Sequence, residues 1–248
     1  MKSDYETIML RREGDILELR IHSRGGSARW GLWGGLHREL GIAFAEIAAD
    51  PDLRALILTG TGENFCAQFD LAGEQPPALS AATWDVIFRE GRSLLNNLLA
   101  IEVPVIAAVN GPAFIHAEIA ILSDIVLASE TAVFADKAHA AAGVVPGDGV
   151  HTVWPMLLGP NRGRYFLMTG QEIGAAEALA LGLVGEVMPA AQLNARAWEH
   201  ARAIAAKPKL AMRYARIMLT QDLRERVSRE LVPGLILEGM ALLASRGD

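Results

Sequence analysis

Four histidines and two carboxylates carry the chemistry open to this chain. His116, His139 and His151 fall within the 48 residues from Pro104 to His151, together with Glu118 and Asp148, and His37 stands apart near the start. Imidazoles beside carboxylates suit general acid–base work near neutral pH, because the histidine proton is exchanged there and a carboxylate can orient the ring. Asn110-Gly111-Pro112 and Gly147-Asp148-Gly149 break the chain around them, and such turns after strand ends are where α/β proteins place their reacting groups. The separations of His37, His116, His139 and His151 fit no zinc pattern and no cluster of carboxylates accompanies them in the sequence, so no metal is expected. A G-x-S-x-G elbow and an H-E-x-x-H helix are absent, and the single Cys66 forbids C-x-x-C. By residue type alone, His139 reads as a surface residue after a strand and Asp148 as a helix N-cap.

The elements that must position these groups read as an α/β protein. Val105–Val109 and Ile125–Ala128 are continuous apolar runs, the pattern of parallel strands buried on both faces. Upstream, Ile8–Leu10 and Ile16–Ile21 form a hairpin around Glu13-Gly14-Asp15. A Gly-rich loop with Trp30 and Trp33 leads to a helix starting near Gly34 or Gly35, with Leu36, Leu40, Phe44, Ile47 and Ala48 inward. His37 then lies in the first turn, where the helix dipole disfavours the imidazolium. Ala55–Leu58 is another buried strand, followed by Gly60-Thr61-Gly62; Phe65 takes the place of the third glycine of a dinucleotide fingerprint, which excludes that reading. A loop over 65–80 precedes an amphipathic helix from Ser80 to Leu99 with Trp84, Ile87, Phe88, Leu94, Leu95 and Leu98 along its apolar stripe. Cys66 has no sequence neighbour that would activate it. Helices are expected at Asn161–Thr169 and Ala175–Leu181, then a strand at Gly185–Met188. From Gln192 the chain is helical and charged, in segments Gln192–Ala206, Leu210–Leu223 and Val227–Ala244, with Pro208 and Pro233 near helix starts. This divides the chain into a core domain, 1–190, and a helical region, 191–248.

Composition sets the outer limits. The 248 residues are 51% hydrophobic with a mean hydropathy of +0.23, enough for a large core. A net charge of −6 gives no basic footprint for nucleic acid. Pro112, His116, Glu118 and Asp124 interrupt the longest apolar stretch, so no membrane span is expected. The charged N-terminus lacks a signal-peptide core and one cysteine cannot form an intrachain disulfide, which together suit a cytoplasmic protein.

Three segments carry a family resemblance: GTGENFCAQFDL, IEVPVIAAVNGPAFIHAEIAILSDIVLAS, and AGVVPGDGVHTVWPMLLGPNRGRYFLMTGQEIGAAEALALGLVGEV. In this order they resemble the crotonase (enoyl-CoA hydratase/isomerase) superfamily across nearly the whole chain. The resemblance implies a spiral of ββα units and a C-terminal helical region that builds homotrimers, often paired into homohexamers. It also implies an oxyanion hole from the backbone N–H groups of Ala67 and Ile115. Departures from the family pattern narrow the reading. Gln68 replaces the glycine of F-[SCA]-A-G-x-D, and Phe114-Ile115-His116 replaces the glycine run. Glu118 matches one catalytic glutamate of the hydratases, but the region of the second reads Asp136-Lys137-Ala138-His139. These departures resemble the β-diketone hydrolase branch that includes 6-oxocamphor hydrolase. By that resemblance His37, His116, His139 and Asp148 are catalytic, with His139 and Asp148 a base dyad. Either Trp30 or Trp33, with Gln68, Phe114, Glu118 and Glu238, then lines the substrate pocket. The implied reaction is retro-Claisen hydrolysis of a cyclic 1,3-diketone to a keto acid, with no cofactor. Hydration or isomerisation of a CoA thioester is the alternative.

Overall fold

The computed structural model describes residues 4–72 and 77–245; residues 73–76 of the loop expected over 65–80 lie outside it, as do the two chain ends. The chain opens with the hairpin β1 (Ile8–Glu13) and β2 (Ile16–Ile21), closed by Gly14-Asp15 with Gly14 at φ +61°. β3 (Arg29–Trp30) and α1 (Leu36–Ala48) follow, then β4 (Ala55–Thr59), β5 (Gln68–Phe69) and α2 (Ala81–Ala100). The next turn holds β6 (Val105–Val109), α3 (Glu118–Ile121), β7 (Ile125–Ser129) and β8 (Val133–Phe134). α4 (Val150–Leu158), α5 (Pro160–Thr169), β9 (Ile173–Gly174), α6 (Ala175–Ala180) and β10 (Glu186–Met188) complete the α/β part. α7 (Ala190–Ala205), α8 (Lys209–Leu219) and α9 (Gln221–Ala244) end the chain.

Six strands form one sheet in the order β1-β2-β4-β6-β7-β10, parallel except for the hairpin. Short strands form a second layer: β3 pairs with β5, β8 with β9, and the bridges Cys66–Ala113 and Ala113–Phe134 join them. Successive turns of the chain thus contribute a long strand to one layer and a short one to the other, which is the expected spiral. β4 and β6 are buried at every position, as their apolar runs require. Their alternate residues serve two cores. Leu56, Leu58, Val105, Ala107 and Val109 join the main cluster with α1, α2 and α9, while Ala55, Ile57, Ile106 and Ala108 meet Leu193, Ala197, Trp198 and Ala201 of α7. Trp198 also donates from Nε1 to Glu18 Oε2 at 2.7 Å, giving a buried β2 carboxylate a partner.

The helical region is divided between these cores. α7 covers one face of the sheet, and Val227, Leu231 and Leu235 of α9 enter the main core. α9 starts at Gln221, so Pro233 lies inside a helix rather than near its start. A proline there removes one intrahelical donor; the following residue, Gly234, abuts the loop that carries Asp148. A Cβ on Gly147 would come within 2.2 Å of the Gly234 carbonyl, so only glycine lets α9 approach that loop. None of the described helices is long and apolar enough to cross a membrane.

Candidate active site

The site is built on the turn after β6. Asn110 accepts from Gly60 N–H at 3.2 Å and donates to the carbonyls of Gly62 and Asn64, tying this turn to the one after β4. The Pro112 carbonyl accepts from Phe65 and Cys66, and the Cys66 carbonyl accepts from Phe114 at 2.8 Å and Ile115 at 3.1 Å. Ile115 N–H therefore does not offer itself as an oxyanion donor, which corrects the expectation from its position. With Phe-Ile-His in place of the glycine run, the turn closes back on the chain at Cys66, and this backbone bond uses the donor. Ala67, half-buried one residue further on, keeps its N–H out of that backbone bonding. His116 adopts φ +53°, a left-handed conformation that costs a non-glycine residue about 1–2 kcal/mol. That conformation is the local reason glycine is usual at this turn.

His116 is aimed into a buried cluster. Its Nδ1 lies 2.6 Å from Glu118 Oε1 and 3.4 Å from Asp148 Oδ2. Asp148 Oδ2 also faces His139 Nε2 at 3.1 Å. The other ring nitrogen of His139, Nδ1, sits 2.8 Å from Asp136 Oδ1. His116, Glu118, Asp136, His139 and Asp148 are all at most 8% exposed. Asp148 is not the cap of α4: Gly149 is, with no side-chain cap bond. His139 is buried rather than superficial.

The remaining candidates separate into two groups. Trp30, 1% exposed, stacks on His116 at 4.0 Å between ring centres and meets the edge of His37 at 5.7 Å. His37 is buried in the first turn of α1, as expected, and its Nδ1 lies 3.3 Å from Glu90 Oε2 of α2. Glu238 of α9 is 8% exposed, packs against Gly147, and interacts electrostatically with Asp148. Trp33 instead lines a surface cleft of about 570 Å³ with Trp30, Phe69 and Leu71, so Trp30 is the tryptophan at the cluster. Gln68 is exposed on β5, and the half-buried Phe114 ring lies under Lys137 Nζ at 4.1 Å; neither joins the histidines. In both cases the second-layer strand or the Lys137 contact directs the side chain elsewhere.

Two members of the site escape sequence reasoning. Asp136 lies three residues before His139, a spacing that carries no meaning until the turn folds back. Glu90 sits 53 residues from His37 on a helix whose apolar stripe gives no hint of it. The fold also overturns the absence of carboxylates around the histidines, for Glu118, Asp136, Asp148 and Glu238 converge on them. His116, Glu118 and Asp148 offer one ligand atom each within 4.8 Å of one another. These atoms are already paired, His116 with Glu118 and with Asp148, so the grouping carries no metal assignment.

Burial and charge set the protonation pattern. Burial disfavours the His139 imidazolium, but Asp148 and Asp136 outweigh it and raise its pKa to about 12. Asp148 is held well below the carboxylate range: burial opposes ionisation, and the His139 and His116 charges overcome it. His116 is raised, because the charges of Glu118 and Asp148 outweigh the burial that lowers it, and Glu118 is raised by burial against the opposing effect of His116. Glu238 is pushed up to about 8 by burial and then by the Asp148 charge. His37 is lowered, chiefly by burial.

The enoyl-CoA hydratase/isomerase family pattern matches residues 30–239. This chain belongs to that family. Its sequence is 33% identical over 209 residues to carnitinyl-CoA dehydratase of Escherichia coli K12, covering 84% of this chain and 77% of the relative. The Proteus mirabilis enzyme of the same name is 34% identical over 213 residues, with the same coverage. Among solved structures, a β-diketone hydrolase from the cyanobacterium Anabaena sp. PCC 7120, bound to (S)-3-oxocyclohexyl acetic acid, superposes with a TM-score of 0.93. It is 44% identical over 98% of this chain and 96% of that one. An enoyl-CoA hydratase/isomerase from Mycobacterium paratuberculosis gives a TM-score of 0.87 at 28% identity, covering 95% and 93%. This crotonase-family chain is thus similar both to CoA-thioester enzymes and to a hydrolase of diketones.

Proposed function

We propose that this crotonase-family enzyme hydrolyses a C–C bond of a cyclic 1,3-diketone, giving a keto acid. The observation that carries the reading is Asp148 Oδ2 shared between His139 Nε2, 3.1 Å away, and His116 Nδ1, 3.4 Å away. In the reaction, water attacks one ketone carbon and its proton passes to the Asp148–His139 pair, acting as a unit. Asp148 Oδ1 is buried without a partner and offers the acceptor lone pair. His116 donates to the carbonyl oxygen as it becomes an oxyanion, and Ala67 N–H is a second donor for it. The C–C bond then breaks, its electrons passing into the enolate of the second ketone. That carbon takes the proton back, so one diketone and one water give one keto acid. Trp30 supplies an apolar wall, and His37, kept neutral by burial, donates or accepts one hydrogen bond. The similar Anabaena hydrolase holds a cyclic keto acid, the kind of product that water makes from a bicyclic 1,3-diketone. No step requires an organic cofactor.

A CoA-thioester hydratase would need Glu118 free to handle water, and here that carboxylate is taken by His116 at 2.6 Å. Steady-state assays on a panel of mono- and bicyclic 1,3-diketones, with crotonyl-CoA alongside, test the reading. Turnover of a bicyclic diketone with little hydration of crotonyl-CoA is expected; the reverse pattern would overturn it. Ile236, Leu237 and Met240 of α9 stand 47%, 60% and 63% exposed. We further take residues 191–248 to build a homotrimer or homohexamer of a cytoplasmic protein, and a monomer by light scattering at micromolar concentration would exclude it.

A further inference from the structure

The roles assigned above leave Asp136 unused, although it makes the shortest contact to His139. We propose that Asp136 is a positioning residue. It accepts from His139 Nδ1–H and so fixes the ring with Nε2–H donating to Asp148, the carboxylate that takes the proton of the reacting water; this rests on the hydrolytic reading of the site. The Asp136–His139 contact is 2.8 Å between side chains that are 3% and 4% exposed. Asp136 is itself fixed. Its Oδ1 accepts from Ala138 N–H at 3.2 Å, and its chain neighbours are pinned to the oxyanion turn, Ala135 N–H to the Ala113 carbonyl and Lys137 N–H to the Phe114 carbonyl. Asp136 therefore moves with the turn that carries His116, which couples the two histidines through the backbone.

An imidazole whose back nitrogen faces a carboxylate must carry the proton there, because a carboxylate has no donor to offer a bare nitrogen. Nε2 faces the Asp148 carboxylate as well, so both ring nitrogens carry protons, and Asp136 settles the ring plane as the carboxylate of a serine-protease triad does for its histidine. Here the orienting carboxylate is Asp136, behind the ring, while Asp148 lies on the reacting side. Asp136 and Asp148 stand directly against His139. The His116 ring is 6.2 Å away, and Glu238 of α9 acts on His139 through its charge. Asp136 is the only one of these groups on the Nδ1 side.

The experiment is a nitrogen-15 NMR titration of the histidine side chains in the whole protein, without substrate, together with kinetics of Asp136→Asn. His139 is assigned by its loss in His139→Gln. In the parent, Nδ1 is expected to stay protonated through neutral pH and above. In Asp136→Asn the titration of His139 should move about 1–3 pH units lower, the size of effect of one adjacent opposite charge. On a cleaved diketone, kcat should fall about 10²-fold with KM nearly unchanged. The same substitution in the His139→Gln background should add almost nothing, since Asp136 acts through that ring. A parent spectrum with Nδ1 bare overturns the proposal without any variant, even if Asp136→Asn fails to fold. An unmoved titration in a folded Asp136→Asn overturns it as well. Should no diketone be cleaved, the hydrolytic reading fails, and the titration still decides the clamp.

Discussion

His139 and His37 are buried to nearly the same degree, 4% and 3% exposed, and each has a carboxylate at Nδ1, yet their pKa values move in opposite directions. Burial works against the imidazolium in both. His139 meets two carboxylates, at 2.8 and 3.1 Å, both themselves buried. His37 meets one, at 3.3 Å; that Glu90 is partly solvated, its other oxygen faces Arg38 at 3.9 Å, and the cationic His116 ring is 6.2 Å away. At an effective dielectric of about 20, a full charge pair near 3 Å is worth on the order of 5 kcal/mol. Two such contacts exceed the cost of burial, and one that is shared and wet does not. The site thereby keeps one histidine cationic and tied to its carboxylates and another neutral, which gives two hydrogen-bonding characters from one residue type.

Asp148→Asn strikes the charged side of this comparison and should have the largest effect. A fall in kcat of about 10²–10⁴-fold is expected, with KM little changed. His139→Ala should fall to a similar rate, and the double variant should be little worse, because the pair acts as a unit. Near-parental kcat in Asp148→Asn, measured on a cleaved diketone with melting temperatures alongside, would remove the pair from the mechanism. Next in size, His116→Ala should lower kcat by about 10²–10³-fold through lost oxyanion and enolate stabilisation, and this loss should multiply with that of Asp148→Asn.

Stability against pH sharpens the contrast without any substrate. His139 goes from about 6.5 unfolded to about 12 folded, so its contribution is complete below pH 6.5 and is lost as pH rises towards 12. Glu238, at 4.5 unfolded and about 8 folded, also lowers stability as pH rises from 4.5 to 8. His37 has the opposite sign: its folded pKa lies below 6.5, so it costs stability as pH falls below 6.5. Each proton changes stability by at most about 1.4 kcal/mol per pH unit. Denaturant titrations of His139→Gln between pH 7 and 10 should show a shallower decline than the parent, whereas His37→Gln should leave that decline unchanged and protect only on the acid side. Equal slopes for parent and His139→Gln would mean that the imidazolium is not held. The smallest effect is expected at the neutral histidine in catalysis: His37→Gln keeps a hydrogen-bonding side chain and should lower kcat/KM by about 10-fold or less, the worth of one hydrogen bond.

Much of the fold is legible in residue order. The runs Ala55–Leu58 and Val105–Val109 can satisfy their alternate faces only between two apolar layers, and helix stripes such as Leu94, Leu95 and Leu98 repeat at the period that buries them. Pro233 was not legible as a mid-helix residue, because the packing of α9 against α2 and α4 overrides a local preference. His37, His116, His139, Asp148 and Glu238 stand out by type and by resemblance, and the structure brings all of them together. Ile115, Gln68 and Phe114 stand at family positions, but a backbone hydrogen bond, an exposed strand face and a stacked lysine turn them away from the histidines.

The sequence by itself determined the alternation of strands and helices, the family, and the residue types from which a proton-handling site could be made. The elements and residue types follow from local periodicity and composition, which act over a few residues, and the family from the resemblance of whole segments. The tertiary structure decided which carboxylate meets which nitrogen. Asp136, Asp148, Glu118 and Glu238 lie on different turns of the spiral or on α9, and their pKa values follow from distances of a few ångströms fixed by close-packed backbone such as Gly147 against Gly234. Electrostatic energy falls with separation in space, so the charge states that divide His139 from His37 exist only in the folded protein.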